Sequence, residues 1–328
     1  MRNKVMWSLA AVVLLAAIGT RMYSFLGPSW SDKDRPILLV PKTIDGRIDF
    51  WQVLGQGALT AAKEFGEEVK TVGTVSESDV DGQIALLERA LETRPKAIVL
   101  AASDYNRIVP VAKKIIEAGI PLITVDSGLN GGISESFIAT DNYEAGKQAG
   151  SALMRWTGKD ARIAIISVVK VSATAIEREG GARDSLKEAG ATNVMKETYY
   201  SNSSETMAYQ IVKKLIAEKP DLQGIVCLNE PTTVGAAKAV KEFASGKGIK
   251  MVGFDSSTDE VAFLEDDIIQ AIVVQKPFNM GYLAVRTAVS ASKGHKVESL
   301  IDTGSQVITK QNMYAKENQK LLFPFDGR

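Results

Sequence analysis

Between residues 36 and 312, short continuous apolar runs alternate with longer segments in which apolar residues recur at helical spacing. The pattern predicts strand 37–40, a loop over 41–49, and a helix from 50 that stops at Gly66. Strand 69–75 and helix 79–93 follow. After the first of two related units come helix 141–157, strand 162–168, helix 178–189, strand 194–200 and helix 204–219. The second unit is followed by helix 259–266, strand 269–274 and helix 280–292. Apolar strands separated by helices of ordinary length predict parallel sheets covered on both faces.

The two units are similar in order and in lettering. Residues 96–127 read K-A-I-V-L, a helical stretch over 105–118, and G-I-P-L-I-T-V-D-S. Residues 223–256 read Q-G-I-V-C-L, a helical stretch, and G-I-K-M-V-G-F-D-S. Each closes its second strand on Asp-Ser. Ligands of open α/β sheets bind at the carboxyl ends of strands. Asp126 and Asp255 are therefore expected at matching positions of two similar lobes, facing one another across a cleft that holds a small polar ligand.

Composition narrows the chemistry. The 328 residues, 45% hydrophobic and 24% charged, suit two globular domains, each with its own core. Basic and acidic residues balance at 39 each. Without residues 1–30, which hold Arg2, Lys4 and Arg21 and no acid, the remainder carries 36 basic against 39 acidic residues, or −3, and shows no footprint for nucleic acid. One histidine, His295 in a polar run, and one cysteine, Cys227 in an apolar strand, cannot assemble a catalytic triad or a usual zinc site. Gly55 and Gly57 lie inside a helical pattern and lack the third glycine of a dinucleotide loop. The inventory points to no enzyme, no metal and no cofactor.

Residues 1–30 read as an address. Arg2 and Lys4 precede an apolar run over 5–18, the layout of a secretory signal peptide, with a weak small-residue cleavage site at Ala17-x-Gly19. No cysteine follows it for lipid attachment. The run over 5–26 also approaches the roughly 20 residues that cross a bilayer, with Arg21 free to snorkel. A retained membrane anchor is the favoured reading and a cleaved signal the alternative. Either places the body outside the cytoplasm.

Polar and aromatic residues gather where strands end. Asp49, Phe50 and Trp51 open the first helix, and two adjacent aromatics cannot both face the core. Asp104 follows the first strand of the first unit, as Asn229 follows that of the second. Arg178 is placed at a helix start, where its charge opposes the helix dipole. Gln275 ends a strand before Pro277. Carboxylates, amides and a guanidinium supply acceptors and donors for hydroxyls, and aromatic faces suit the C–H faces of a sugar.

With these motifs in order, the chain resembles the type I periplasmic sugar-binding proteins, the ribose/xylose/galactose-binding group. The resemblance covers nearly all of residues 36–312. It is carried by D-F-W-Q-x-x-x-x-G-A from Asp49, I-P-L-I-T-V-D-S from Ile120 and T-D-N-Y-E-A-G from Thr140. R-E-x-G-A from Arg178, N-E-P-T-T-V-G-A from Asn229, V-G-F-D-S from Val252 and V-Q-K-P-F-N-M-G-Y from Val274 complete it. It implies an α/β fold of two similar doubly wound parallel-sheet lobes joined by a three-strand hinge near Thr140, Gln275 and Thr303. The lobes would be 36–140 plus 276–304, and 141–275 plus 305–328. It implies ligand contacts at Phe50, Trp51, Asp126, Arg178, Asn229, Asp255 and Gln275. Ile48, Ala101 and Ser127 depart from the ribose-type pattern, which has asparagine, asparagine and arginine there, and the aromatic pair followed by glutamine is closer to xylose-binding members. The expected ligand is a monosaccharide, a pentose such as xylose. The expected role is a membrane-anchored sensing module for a sensor kinase or receptor; the alternative is the solute-binding component of a sugar ABC importer docking on its permease.

Overall fold

The protein, here a computed structural model, is described over residues 35–323 apart from residue 245. The signal or anchor expected over 1–30 lies outside the described residues. Two six-stranded sheets organise the rest.

The first sheet contains β1 (Ile37–Val40), β2 (Val69–Thr71), β3 (Ala97–Leu100), β4 (Leu122–Val125), β5 (Ser136–Ala139) and β11 (Leu300–Asp302), in the order β11-β5-β4-β3-β1-β2. The second contains β6 (Arg162–Ser167), β7 (Val194–Tyr200), β8 (Leu222–Cys227), β9 (Lys250–Phe254), β10 (Ala271–Val274) and β12 (Gln306–Ile308), in the order β12-β10-β9-β8-β6-β7. The two orders are the same doubly wound sequence. Only the edge differs: β11 runs parallel to β5 and β12 antiparallel to β10.

Helices α1 (Asp49–Phe65), α2 (Val80–Thr93), α3 (Val109–Glu117) and α9 (Pro277–Ser292) belong with the first sheet. The second has α4 (Asn142–Leu153), α5 (Ala173–Glu188), α6 (Glu205–Glu218), α7 (Glu230–Phe243), α8 (Thr258–Glu265) and α10 (Lys316–Leu322). Strands β3, β4 and β10 are buried at every position. That is why they read as unbroken apolar runs. The chain passes between sheets after β5, after β10 and after β11.

Both lobes use glycine to bring helices close. A Cβ on Gly57 of α1 would stand 2.0 Å from the Phe278 carbonyl oxygen, and one on Gly281 of α9 would stand 1.9 Å from that of Leu54. Gly146 of α4 and Gly181 of α5 make the same reciprocal approach to Arg178 and Tyr143. Gly57 thus serves helix packing, which places α1 firmly beneath the cleft.

The doubled units are β3–α3–β4 and β8–α7–β9, third and fourth strands in each lobe. Several boundaries differ from expectation. Helix α3 starts at Val109 rather than 105, because the Asp104 carboxylate accepts from the Asn106 and Arg107 amides, each at 2.7 Å, and holds a turn there. Helix α5 starts at Ala173, capped by Ser172. Arg178 therefore lies in its second turn and not at a helix start, and the dipole penalty expected of it does not apply. β5, β11 and β12 are short and only partly apolar, which hid them.

Candidate functional site

The residues that close β4 and β9 have the same unusual backbone. Asp126 has φ +61° and Asp255 φ +76°, in the left-handed region that side chains adopt at a cost. Each amide donates to the neighbouring strand, Asp126 to the Ile138 carbonyl and Asp255 to that of Val273, both at 2.9 Å. The bend turns each side chain out of its sheet and into one shared cavity between the lobes.

Around Asp255 the partners come from its own lobe. Gln275 Nε2 donates to Oδ1 at 2.6 Å and the Glu230 amide to Oδ2 at 3.0 Å. Burial nonetheless raises the Asp255 carboxyl above its ordinary value, against the pull of Arg178 and these donors. Gln275 Oε1 is buried without a hydrogen-bond partner, an acceptor available to a hydroxyl. Arg178 is nearly fully buried; its Nε donates to Asn142 Oδ1 at 2.8 Å and its Nη1 to the Leu228 carbonyl at 2.9 Å, while its plane lies over Phe254 at 4.5 Å. Three anchors pre-organise the guanidinium at low further entropic cost.

Around Asp126 the decisive partner is Lys42, which follows β1. Its Nζ lies 2.7 Å from Asp126 Oδ2 and donates to Thr174 Oγ1 of the opposite lobe at 3.1 Å. The contact with Asp126 is an ion pair without directed hydrogen-bond geometry, so Oδ2 keeps acceptor capacity. Phe50 and Trp51 meet edge to face, with centroids 4.9 Å apart and planes at 89°. Trp51 Nε1 donates to Glu77 Oε1 at 2.8 Å, and Ser203 of the other lobe donates to Glu77 Oε2 at 2.6 Å. Asn229 caps α7 and donates to Ser203 Oγ at 3.0 Å.

Seven of the nine expected residues thus line the cavity: Phe50, Trp51, Asp126, Arg178, Asn229, Asp255 and Gln275. Asp49 lines instead a neighbouring space of about 530 Å³ that shares Ile48, Glu77 and Glu230 with the cavity, and burial raises its carboxyl. Asp104 is buried away from the cavity and serves the turn before α3. Lys42, Glu77, Thr174 and Glu230 also line it and were missed. Their signal was weak, since each lies beside a loop or helix end where polar residues are ordinary. The space between these residues is small, about 30 Å³. A larger space of about 320 Å³ adjoins it beyond Phe50, Asp255 and Gln275, towards Pro277 and Phe278. Among the described residues no group of His, Cys, Asp or Glu is placed to hold a metal. Cys227 is fully buried, and burial pushes its thiol up, which makes it a core residue.

Residues 37–296 match the periplasmic binding protein domain. The chain belongs to the periplasmic binding protein family. Among relatives, it is 30% identical over 277 residues to the ribose import binding protein RbsB of Haemophilus influenzae, covering 84% of this chain and 91% of that one. Among solved structures, the carbohydrate transporter solute binding protein from Agrobacterium radiobacter in complex with D-arabinose superposes with a TM-score of 0.83. It is 30% identical and the match covers 88% of this chain and 98% of that one. An ABC transporter solute binding protein from Agrobacterium vitis with bound D-fucose gives 0.83 at 33% identity, over 88% and 99% of the two chains. The relatives are solute-binding proteins and not enzymes, and the family places the folded body outside the cytoplasm.

Proposed function

We propose that this protein is the solute-binding component of a sugar ABC importer, closing its two lobes on one monosaccharide. The observation that carries this reading is the meeting of Asp126 and Asp255, from equivalent positions of two lobes, on a single cavity with Phe50 and Trp51. The carboxylates, Arg178, Asn229 and Gln275 offer hydrogen bonds to hydroxyls, and the aromatic pair offers faces to ring C–H groups. A pentose in its pyranose form, xylose among the candidates, fits the apolar Ile48 in the cavity wall. Relatives that bind ribose, arabinose or fucose support the class.

The space between the two aspartates is too small for a pyranose ring, so in this reading the lobes separate and Lys42 yields to admit one. Lobe limits of 36–140 with 276–304, and 141–275 with 305–328, make the three crossovers the hinge. The sensing module expected from the sequence rests on residues 1–30 and gains no support from the relatives, which are importer components. A thermal-shift screen of the chain from residue 31 against pentoses, hexoses and inositols tests the reading, followed by calorimetric titration of any hit. Micromolar or tighter binding of one monosaccharide is expected. No stabilisation by any of them would reject it.

A further inference from the structure

Helix α1 starts without a cap of its own, because Ile48 at the N-cap position offers no side-chain acceptor. The acceptors come from across the cleft. The Asp49 and Phe50 amides donate to Glu230 Oε1 and Oε2 at 3.0 and 3.1 Å, and Glu230 opens α7 in the opposite lobe. The Glu230 amide in turn donates to Asp255 Oδ2 at 3.0 Å. A hydrogen-bonded line therefore runs from the cavity carboxylate of one lobe to the helix that carries both aromatics of the other.

We propose that Glu230 is a cross-cleft positioning residue, which caps α1 only when the lobes close and so makes the placement of Phe50 and Trp51 conditional on closure. Orphan amides at a helix start are satisfied by a side chain or by water. Opening the cleft exchanges Glu230 for water at α1 and returns its carboxyl to solvent. The inference rests on the closing-cleft reading above and adds to it the residue that senses closure.

The same geometry couples closure to protonation. Glu230 is faced by Asp49 on α1 and Asp255 after β9, and Glu260 of α8 also interacts with it. Glu77, Asp126, Lys42 and Arg178 share its cavity wall. In the closed protein burial raises its carboxyl from 4.5 to about 8, although the two amides and the helix dipole oppose the rise. With the closed value above the open one, closing takes up a proton from solvent between these limits. Closure is most favoured below about pH 4.5 and loses up to tenfold per pH unit towards about pH 8.

Amide hydrogen exchange on the full-length protein tests the proposal, with D-arabinose as probe and rates corrected for intrinsic chemistry. Glu230→Ala is expected to lower protection at Asp49 and Phe50 at least tenfold, with β8 unchanged and Glu230→Gln intermediate. Between pH 5.5 and 8.5 protection should fall in the wild type and fall less steeply in Glu230→Gln, where only the neighbouring carboxyls Asp49, Asp255 and Glu260 still titrate. Equal protection in wild type and Glu230→Ala, or an equal pH slope in Glu230→Gln, would overturn the proposal. A loss of protection in Glu230→Ala that D-arabinose and every other monosaccharide of the screen leave unaltered would support the cap and reject the sugar-binding reading instead.

Discussion

Replacing Asp255 separates its structural duties from its contribution to a ligand. Its two oxygens accept from two donors, Gln275 Nε2 and the Glu230 amide. Asparagine keeps the volume and tolerates the +76° backbone. It can satisfy one of those donors while turning its own NH2 towards the other. The mismatch costs about 1–3 kcal/mol, but removing a carboxylate that burial already disfavours offsets part of it. The melting temperature of the free variant should therefore move by roughly 5 °C or less. A sugar hydroxyl loses a charge-assisted bond, worth about 1.5–3 kcal/mol, and regains at most a neutral one near 1 kcal/mol. Asp255→Asn should thus raise Kd roughly 3- to 30-fold, and Asp255→Ala roughly 10- to 150-fold. Alanine also adds strain of about 1–2 kcal/mol in the left-handed backbone. Calorimetric titration of the screened monosaccharide reads both. A Kd within twofold of wild type in Asp255→Ala, with the fold intact by circular dichroism, would refute the assignment.

Further outcomes follow from single contacts. Trp51→Phe removes the bond to Glu77 and should weaken binding roughly 3- to 10-fold by the loss of about 1 kcal/mol. It should also reduce any sugar-dependent change in tryptophan fluorescence to what the other tryptophans, Trp156 among them, contribute, and a change that persists undiminished would place Trp51 outside the ligand's reach. Gly57→Ala forces a Cβ against the Phe278 carbonyl and should cost about 1–3 kcal/mol, lowering the melting temperature by roughly 3–10 °C. No shift in calorimetry would mean that α1 and α9 pack less closely. Cys227 should resist thiol reagents in the native protein and react only on unfolding, since burial raises its thiol; reaction at the rate of a free thiol would contradict its core position.

The doubled unit was legible because both copies end in the same residues at strands that burial makes uniformly apolar. Asp126 and Asp255 could be matched without coordinates for that reason. The missed residues are those whose meaning arises between lobes. Lys42 follows β1 in an ordinary loop, and its burial is intelligible only beside Asp126 and Thr174. Glu230 reads locally as an acid placed to suit the dipole of α7. Its other duty could have been inferred from Ile48, an apolar N-cap that leaves α1 in need of acceptors. Arg178 was drawn to the cavity for an inexact reason, since its helix begins earlier, at Ala173. Asp104 looked equivalent to Asn229 by position alone, but its turn consumes the carboxylate.

The central claim is that one sugar bridges two equivalent aspartates. A crystal structure of the chain with the best-binding monosaccharide tests it most directly. Hydroxyls of a single ring within about 3 Å of both the Asp126 and Asp255 carboxylates are predicted. A sugar bonded to one lobe alone, or seated elsewhere while these carboxylates keep their protein partners, would contradict the account.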